Sequence, residues 1–117
     1  MKLVNIDGEE RLLYKPIPIN VCLVRGSYAD EYGNCTVHRE IGPLDVTAQC
    51  QATKNSGGIV IVQVEKIVQG GTLDPRLVKI PGIYVDAIVV GSPEENNQCL
   101  GMPYDGALSG EFRIPVD

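Results

Sequence analysis

Groups able to do chemistry are sparse in this chain. The single histidine, His38, stands beside Arg39 and Glu40, and nothing in the local sequence pairs it with a nucleophile. It reads as a surface or hairpin position. Glu65 follows the most aliphatic run of the chain and is either a site carboxylate or a solvated strand end. Gly70-Gly71 would let backbone approach a phosphate, but neither a Lys-Ser/Thr pair nor a glycine fingerprint accompanies them, and a turn is the simpler reading. The four cysteines, Cys22, Cys35, Cys50 and Cys99, form no Cys-x-x-Cys pair, which argues against zinc and thioredoxin-type chemistry. No metal site is expected. The stretch with most to offer is Arg25-Gly26-Ser27-Tyr28-Ala29-Asp30-Glu31-Tyr32-Gly33-Asn34, a polar loop placed just after an aliphatic run. In open α/β sheets, ligands sit beyond the carboxyl ends of such strands. An ordinary turn is the competing reading of the same residues.

The elements that must position these groups are aliphatic runs. Ile59, Val60, Ile61, Val62 and Val64 are all β-branched. Such side chains are stiff at the first torsion and suit a pleated strand. Apolar and polar residues do not alternate there, so the pattern predicts a central strand covered on both faces. Val21-Cys22-Leu23-Val24 and Ile83-Tyr84-Val85-Asp86-Ala87-Ile88-Val89-Val90 predict two more core strands. Gly42-Pro43 opens a predicted helix with Leu44, Ala48 and Ala52 on one face, flanked by Val46 and Cys50. Asn55-Ser56-Gly57-Gly58 stops it. Asp7-Gly8 between Leu3-Val4-Asn5-Ile6 and Arg11-Leu12-Leu13-Tyr14 predicts a hairpin. Cys35-Thr36-Val37-His38 alternates as a short strand would, and Asp74-Pro75 suits the start of one helical turn. The expected fold class is α/β, with an open mixed, largely parallel sheet, a flanking helix and β-hairpins.

A chain of 117 residues is enough for one small domain. Its net charge of -5, with mixed signs and no basic run, argues against nucleic acid and anionic membranes as partners. No apolar run approaches the ~20 residues that span a bilayer, and no signal-peptide pattern opens the chain. Cys22 and Cys50 lie in apolar contexts and read as small core residues. No disulfides are expected, and a reducing cytoplasm fits best. The segment from Glu111 to Asp117 is apolar with nothing evident to pack on.

Three blocks carry a resemblance. They are Val24-Arg25-Gly26-Ser27-Tyr28-Ala29-Asp30-Glu31-Tyr32-Gly33-Asn34, then Ala52-Thr53-Lys54-Asn55-Ser56-Gly57-Gly58-Ile59-Val60-Ile61-Val62-Gln63-Val64, then Gly71-Thr72-Leu73-Asp74-Pro75-Arg76-Leu77-Val78-Lys79-Ile80-Pro81-Gly82-Ile83-Tyr84-Val85-Asp86. In this order and spacing the chain resembles the family I coenzyme A transferases, the acetate/propionate and 3-oxoacid CoA-transferases above all. The likeness runs from about Leu3 to Glu111, and residues 94–101 are less like the family than their neighbours.

The resemblance implies an enzyme that moves coenzyme A from an acyl-CoA to a free carboxylate. A glutamate attacks the thioester, giving an acyl-glutamyl anhydride and then a glutamyl-CoA thioester. Family members have two related α/β halves, and residues 1–117 resemble the later part of the first as a single partial domain. The nucleophile belongs to a Glu-x-Gly-x-x-Gly motif of the second half. Here Glu65-Lys66-Ile67-Val68-Gln69-Gly70-Gly71 is only superficially similar, because Ile67 stands where that motif has glycine. No catalytic residue is therefore expected in this chain, no cofactor is expected to be bound, and a coenzyme A thioester is the substrate of the parent enzyme. The implied partners are acyl-CoA, a carboxylate, the remainder of the transferase polypeptide and further copies in a homo-oligomer. Cleft-facing substrate-binding candidates are Gly26, Ala29, Asp30 and Asn34, which match the family's loop pattern. A tight turn in which Asp30 and Asn34 bond their own backbone explains the same pattern. The rival to the transferase reading is a non-enzymatic α/β module for binding or oligomerisation.

Overall fold

The computed structural model describes residues 1–99 and 101–115; Val116 and Asp117, the end of the expected apolar tail, lie outside the described residues. The elements in chain order are β1 (Lys2–Ile6), β2 (Glu9–Leu13), β3 (Val21–Arg25), β4 (Tyr28–Asp30), β5 (Cys35–Thr36), α1 (Val46–Asn55), β6 (Ile59–Val64), β7 (Lys66–Val68), β8 (Val78–Ile80), a 3-10 turn (Gly82–Tyr84) and β9 (Ala87–Val90). β1 and β2 pair antiparallel from Lys2↔Leu13 to Ile6↔Glu9. Asp7 and Gly8 sit at φ 52° and 85°, the pair of positive values that a two-residue hairpin turn of matching twist needs. The Asn5 side chain accepts the Gly8 N–H at 3.0 Å. This hairpin is almost wholly exposed. The radius of gyration is 17.8 Å, above the ~13 Å of a compact chain of this length.

β3, β6 and β9 form a parallel sheet with β6 in the middle. Val60, Val62 and Val64 have no exposure and meet Cys22, Val24 and Cys50 in the core. The expectation that both faces are covered holds for one face only. Ile59 is 52% exposed and Leu23 74%. α1 covers the inner face.

The helix differs from the expected one in start and in face. It begins at Val46 rather than at Pro43, because Leu44 takes a left-handed φ of 42° and turns outward, 89% exposed. Its buried residues are Cys50 and Thr53, with Val46 half-buried, while Ala48 is exposed. Small side chains at the contact let the helix sit close to the sheet. Thr53 hides its hydroxyl by donating to the Gln49 carbonyl at 2.9 Å. Burial, reinforced by Cys22, pushes the Cys50 thiol up to about 11. All four cysteines are free.

The run from Ile83 to Val90 is strand only from Ala87 onward. Asp86 explains the late start: its carboxylate accepts the Val60 N–H at 2.8 Å, taking a donor that an earlier strand residue would have used. Lys54 anchors the same carboxylate at 2.7 Å. Ile83 is left 80% exposed on the preceding 3-10 turn. Near Asp74 a hydrogen-bonded turn replaces the expected turn of helix: the Leu77 N–H donates to the Asp74 carbonyl and the Arg76 N–H to its side chain, both at 2.9 Å.

A second sheet has the order β7-β4-β5-β8. β4 and β7 are parallel, like β3 and β6 before them, so one strand pair runs through both sheets with a bend between. Gly26 lies at that bend. A Cβ there would lie 3.0 Å from the Thr36 carbonyl oxygen, so only glycine keeps the two sheets this close. Ala29, Cys35 and Ile80 close the core from this second sheet, all without exposure.

Ile80→Ala should lower stability by about 2–5 kcal/mol, because it empties a fully enclosed site. Ile61→Ala, on the half-covered face, should lower it by clearly less. Paired thermal or urea melts check the order of the two.

Candidate active-site edge

The chain leaves β3, β6 and β9 at one common edge of the parallel sheet. Three backbone bonds close that edge: Gly26 N–H to the Gln63 carbonyl at 2.8 Å, Glu65 N–H to the Ser27 carbonyl at 2.9 Å, and Gly91 N–H to the Val64 carbonyl at 3.0 Å. Charged side chains gather above it. Arg25 bonds Glu40 at 3.2 Å and the carbonyl of Asn97. Arg39 bonds Glu65 at 3.0 Å and lies 3.5 Å over the centroid of the Tyr104 ring. The Gln98 amide donates to the Arg39 carbonyl at 2.9 Å. Burial pushes the Glu40 carboxyl up, with Arg25 pulling against it. Arg39 is desolvated, yet Glu65 more than compensates and its pKa is raised. Arg39, Glu65, Lys66, Pro93, Pro103 and Tyr104 share in lining a cavity of about 320 Å³.

The loop from Arg25 to Asn34 turns on Asp30, which is 2% exposed. One carboxylate oxygen accepts the Tyr32 and Asn34 N–H groups at 3.0 and 2.9 Å, and the other accepts the Asn34 side-chain amide at 3.0 Å. Burial would raise this carboxyl. Hydrogen bonds from Asn34, Tyr32 and Gly71 outweigh it and hold the pKa below the ordinary value. Asn34 in turn accepts the Gly82 N–H at 3.0 Å, and Glu31 accepts the Gly70 N–H at 2.9 Å. One loop thus fixes both glycine turns. Among the four loop candidates, Asp30 and Asn34 line an open cavity of about 440 Å³ with Gly71, Leu73, Pro75 and Pro81. Gly26 and Ala29 are enclosed.

His38 lies in a turn after β5, shorter than the strand expected there. Its Nδ1 meets the Thr36 hydroxyl at 2.9 Å, and its ring stands edge-on to Tyr28 at 5.0 Å. Burial, then the charge of Arg39, lowers its pKa. Glu65 is an Arg39-paired carboxylate rather than a solvated strand end. Arg25, Arg39, Gln98 and Tyr104 are brought to this edge by contacts 15 to 72 residues apart in the chain, which no local sequence signal announces. Among the described residues, no group of three or more His, Cys, Asp or Glu is placed to hold a metal ion.

The chain and its fold are similar to known proteins. The family model for coenzyme A transferase matches residues 1–91. The caffeate CoA-transferase of Acetobacterium woodii is 45% identical over 120 residues, covering 99% of this chain and 22% of that protein. The acetate CoA-transferase YdiF of Escherichia coli (strain K12) is 39% identical over 114 residues, 97% of this chain and 21% of that one. The crystal structure of the acyl-CoA transferase YdiF from E. coli O157:H7, in a thioester complex with CoA, aligns with a TM-score of 0.83 at 39% identity, over 97% of this chain and 23% of that chain. The chain belongs to the coenzyme A transferase family. It spans about a fifth of the length of the curated relatives it matches.

Asp30 makes a pH prediction. A carboxyl held below its unfolded value of 3.8 adds stability that is fully present above that value. The contribution is lost as the pH falls through the lower folded value. Asp30→Asn should therefore flatten the acid limb of the stability–pH curve below ~4. It should also lower stability at neutral pH by about 1–3 kcal/mol, because the amide keeps one oxygen for the Tyr32 and Asn34 N–H groups but turns a donor toward the Asn34 side-chain amide. Melts from pH 2 to 7 read both effects.

Proposed function

We propose that this chain works as the later part of the first α/β half of an acyl-CoA:carboxylate CoA-transferase, as a single partial domain. The observation that carries this reading is the 45% identity to a CoA-transferase along 99% of the chain, combined with coverage of 22% of that relative. The enzyme moves coenzyme A between short-chain acyl groups through a glutamyl-CoA intermediate. Its nucleophilic glutamate lies outside these residues. The carboxylate attacks the thioester carbonyl and expels the CoA thiolate; the thiolate then attacks the glutamyl carbonyl and releases the first acid. Glu65 is a poor candidate for that role, because its carboxylate is engaged by the Arg39 guanidinium 3.0 Å away.

In this reading the chain supplies position rather than chemistry. Asp30 and Asn34 face the cleft of the complete enzyme, while Gly26 and Ala29 keep their loop tight against the sheet. Acyl-CoA and a carboxylate are the substrates, with the CoA thioester bound mainly by other residues. The partners are the remainder of the transferase polypeptide and further copies of the enzyme. One relative, from Xanthomonas campestris, is named as one subunit of a succinyl-CoA:3-ketoacid coenzyme A transferase, which agrees with an enzyme assembled from several chains. The parent enzyme is cytoplasmic in this reading; no described helix is long and apolar enough to cross a membrane.

The chain alone should not exchange CoA between acetyl-CoA and a panel of short carboxylates. Replacing the matching segment of E. coli acetate CoA-transferase with this chain should give an active full-length transferase. Exchange by the chain alone that vanishes in Glu65→Gln, with folding intact, would make Glu65 the nucleophile and overturn the reading.

A further inference from the structure

The segment that follows β9 crosses the carboxyl edge of the parallel sheet as a strap, residues 92–99 and 101–111. Its described residues form no helix and no strand beyond the single bridge of Cys99 with Met102, so a ladder of its own does not hold it in place. Side chains of the edge hold it instead. Arg25 and Gln63 take the near end, Arg25 at the Asn97 carbonyl and Gln63 at the Asn96 side chain, 3.0 Å away. Arg39 takes the far end, and by two routes. Its guanidinium lies 3.5 Å over the centroid of the Tyr104 ring. Its carbonyl accepts the Gln98 side-chain amide at 2.9 Å, and the oxygen of that same amide accepts the Asp105 N–H at 2.9 Å. On its other side Arg39 is fixed to the sheet. Its N–H donates to the Ser27 hydroxyl at 2.8 Å and its Nε to Glu65 at 3.0 Å. Ser27 has no exposure and Gln98 is buried, so these bonds are shielded from water.

We propose that Arg39 is a positioning residue of the transferase: it clamps the strap to the carboxyl edge and so fixes where the half that carries the nucleophile stands against this one. The proposal rests on the CoA-transferase reading above, in which that half follows this one in the polypeptide. The chain runs from β9 through the strap toward it, so the placement of the strap is the placement of the exit. The cavity of about 320 Å³ depends on the same clamp: Glu65 and Lys66 wall it from the strand ends, Pro93, Pro103 and Tyr104 from the strap. A strap free to move would open that cavity. A misplacement of about 1 Å in a reacting geometry costs on the order of 100-fold in rate. Arginine suits this clamp where lysine does not, because its planar fork bonds a carboxylate at the edge while its face stacks on an aromatic ring. Glu65 and Tyr104 occupy the guanidinium, so its effect on the reaction passes through the strap.

The test uses Arg39→Ala and Arg39→Lys, in the chain alone and in the full-length transferase that carries the chain in place of the matching E. coli segment. In the chain alone, amide hydrogen exchange at Gln98 and Asp105 should speed up by more than about tenfold in Arg39→Ala, while the β6 amides keep their protection. In the full transferase, kcat should fall by about tenfold or more, with KM for acetyl-CoA and for the acid within about threefold of the parent values. Guanidinium chloride at non-denaturing concentration should restore part of kcat to Arg39→Ala, and sodium chloride at equal ionic strength should not. Arg39→Lys should stay slow, because the charge alone does not make the clamp. Tyr104→Leu removes the strap's side of the contact, leaves the Arg39–Glu65 pair, and should lower kcat in the same way; it decides the matter if Arg39→Ala does not fold. Unchanged exchange at Gln98 and Asp105 in Arg39→Ala, or an unchanged kcat in a transferase that turns over, would overturn the proposal and leave the functional reading standing. A full-length protein that folds with the parent chain and shows no turnover would count against the functional reading, and exchange in the chain alone would still decide the clamp.

Discussion

The parallel pairing of β3 with β6 is the interaction on which the rest of the molecule depends. Its register, Val21↔Ile59 through Arg25↔Gln63, sets the inner row Cys22, Val24, Val60, Val62 and Val64 against α1. The same pair bends at Gly26 and continues as β4 and β7, so one backbone interaction builds both sheets. A slip of one residue would turn the inner row outward and the open face inward. Packing resists this: Cys50 and Thr53 leave room for an inner row of valines and little more.

From that pairing the site follows. The bend at Gly26 places Ser27 to accept the Glu65 N–H, and the chain after Asp30 must then turn sharply. Asp30 provides the turn by gathering neighbouring N–H donors onto one buried carboxylate. A low dielectric makes such a network costly to half-fill and rigid when filled. Through Asn34 the rigidity passes to Gly82, and through Glu31 to Gly70. The loop pattern thus has a physical cause in this chain: it braces the end of β4 and the two glycine turns packed against it.

The parts legible in the sequence are those set by neighbours in the chain. Asp7-Gly8 dictated its hairpin because both positions must hold positive φ. The β-branched run dictated β6. The parts that were not legible depend on distant partners. Leu44 looked like the first turn of a helix face, yet the contact surface wanted the small residues one step around, Cys50 and Thr53. The run from Ile83 looked like strand until Asp86 took the Val60 N–H. β6 looked covered on both faces, and only its inner face is. The Arg39–Glu65–Tyr104 cluster joins three separate stretches, and no local pattern announces it.

The central claim is that this chain positions a reaction whose nucleophile it does not contain. The most direct measurement is mass mapping of the covalent intermediate. The full-length transferase carrying this chain is mixed with acetyl-CoA in the absence of acceptor, digested, and searched for a peptide carrying glutamyl-bound CoA. The account predicts that the modified glutamate lies outside residues 1–117. A CoA thioester on Glu65, or on any other glutamate of this chain, would contradict it.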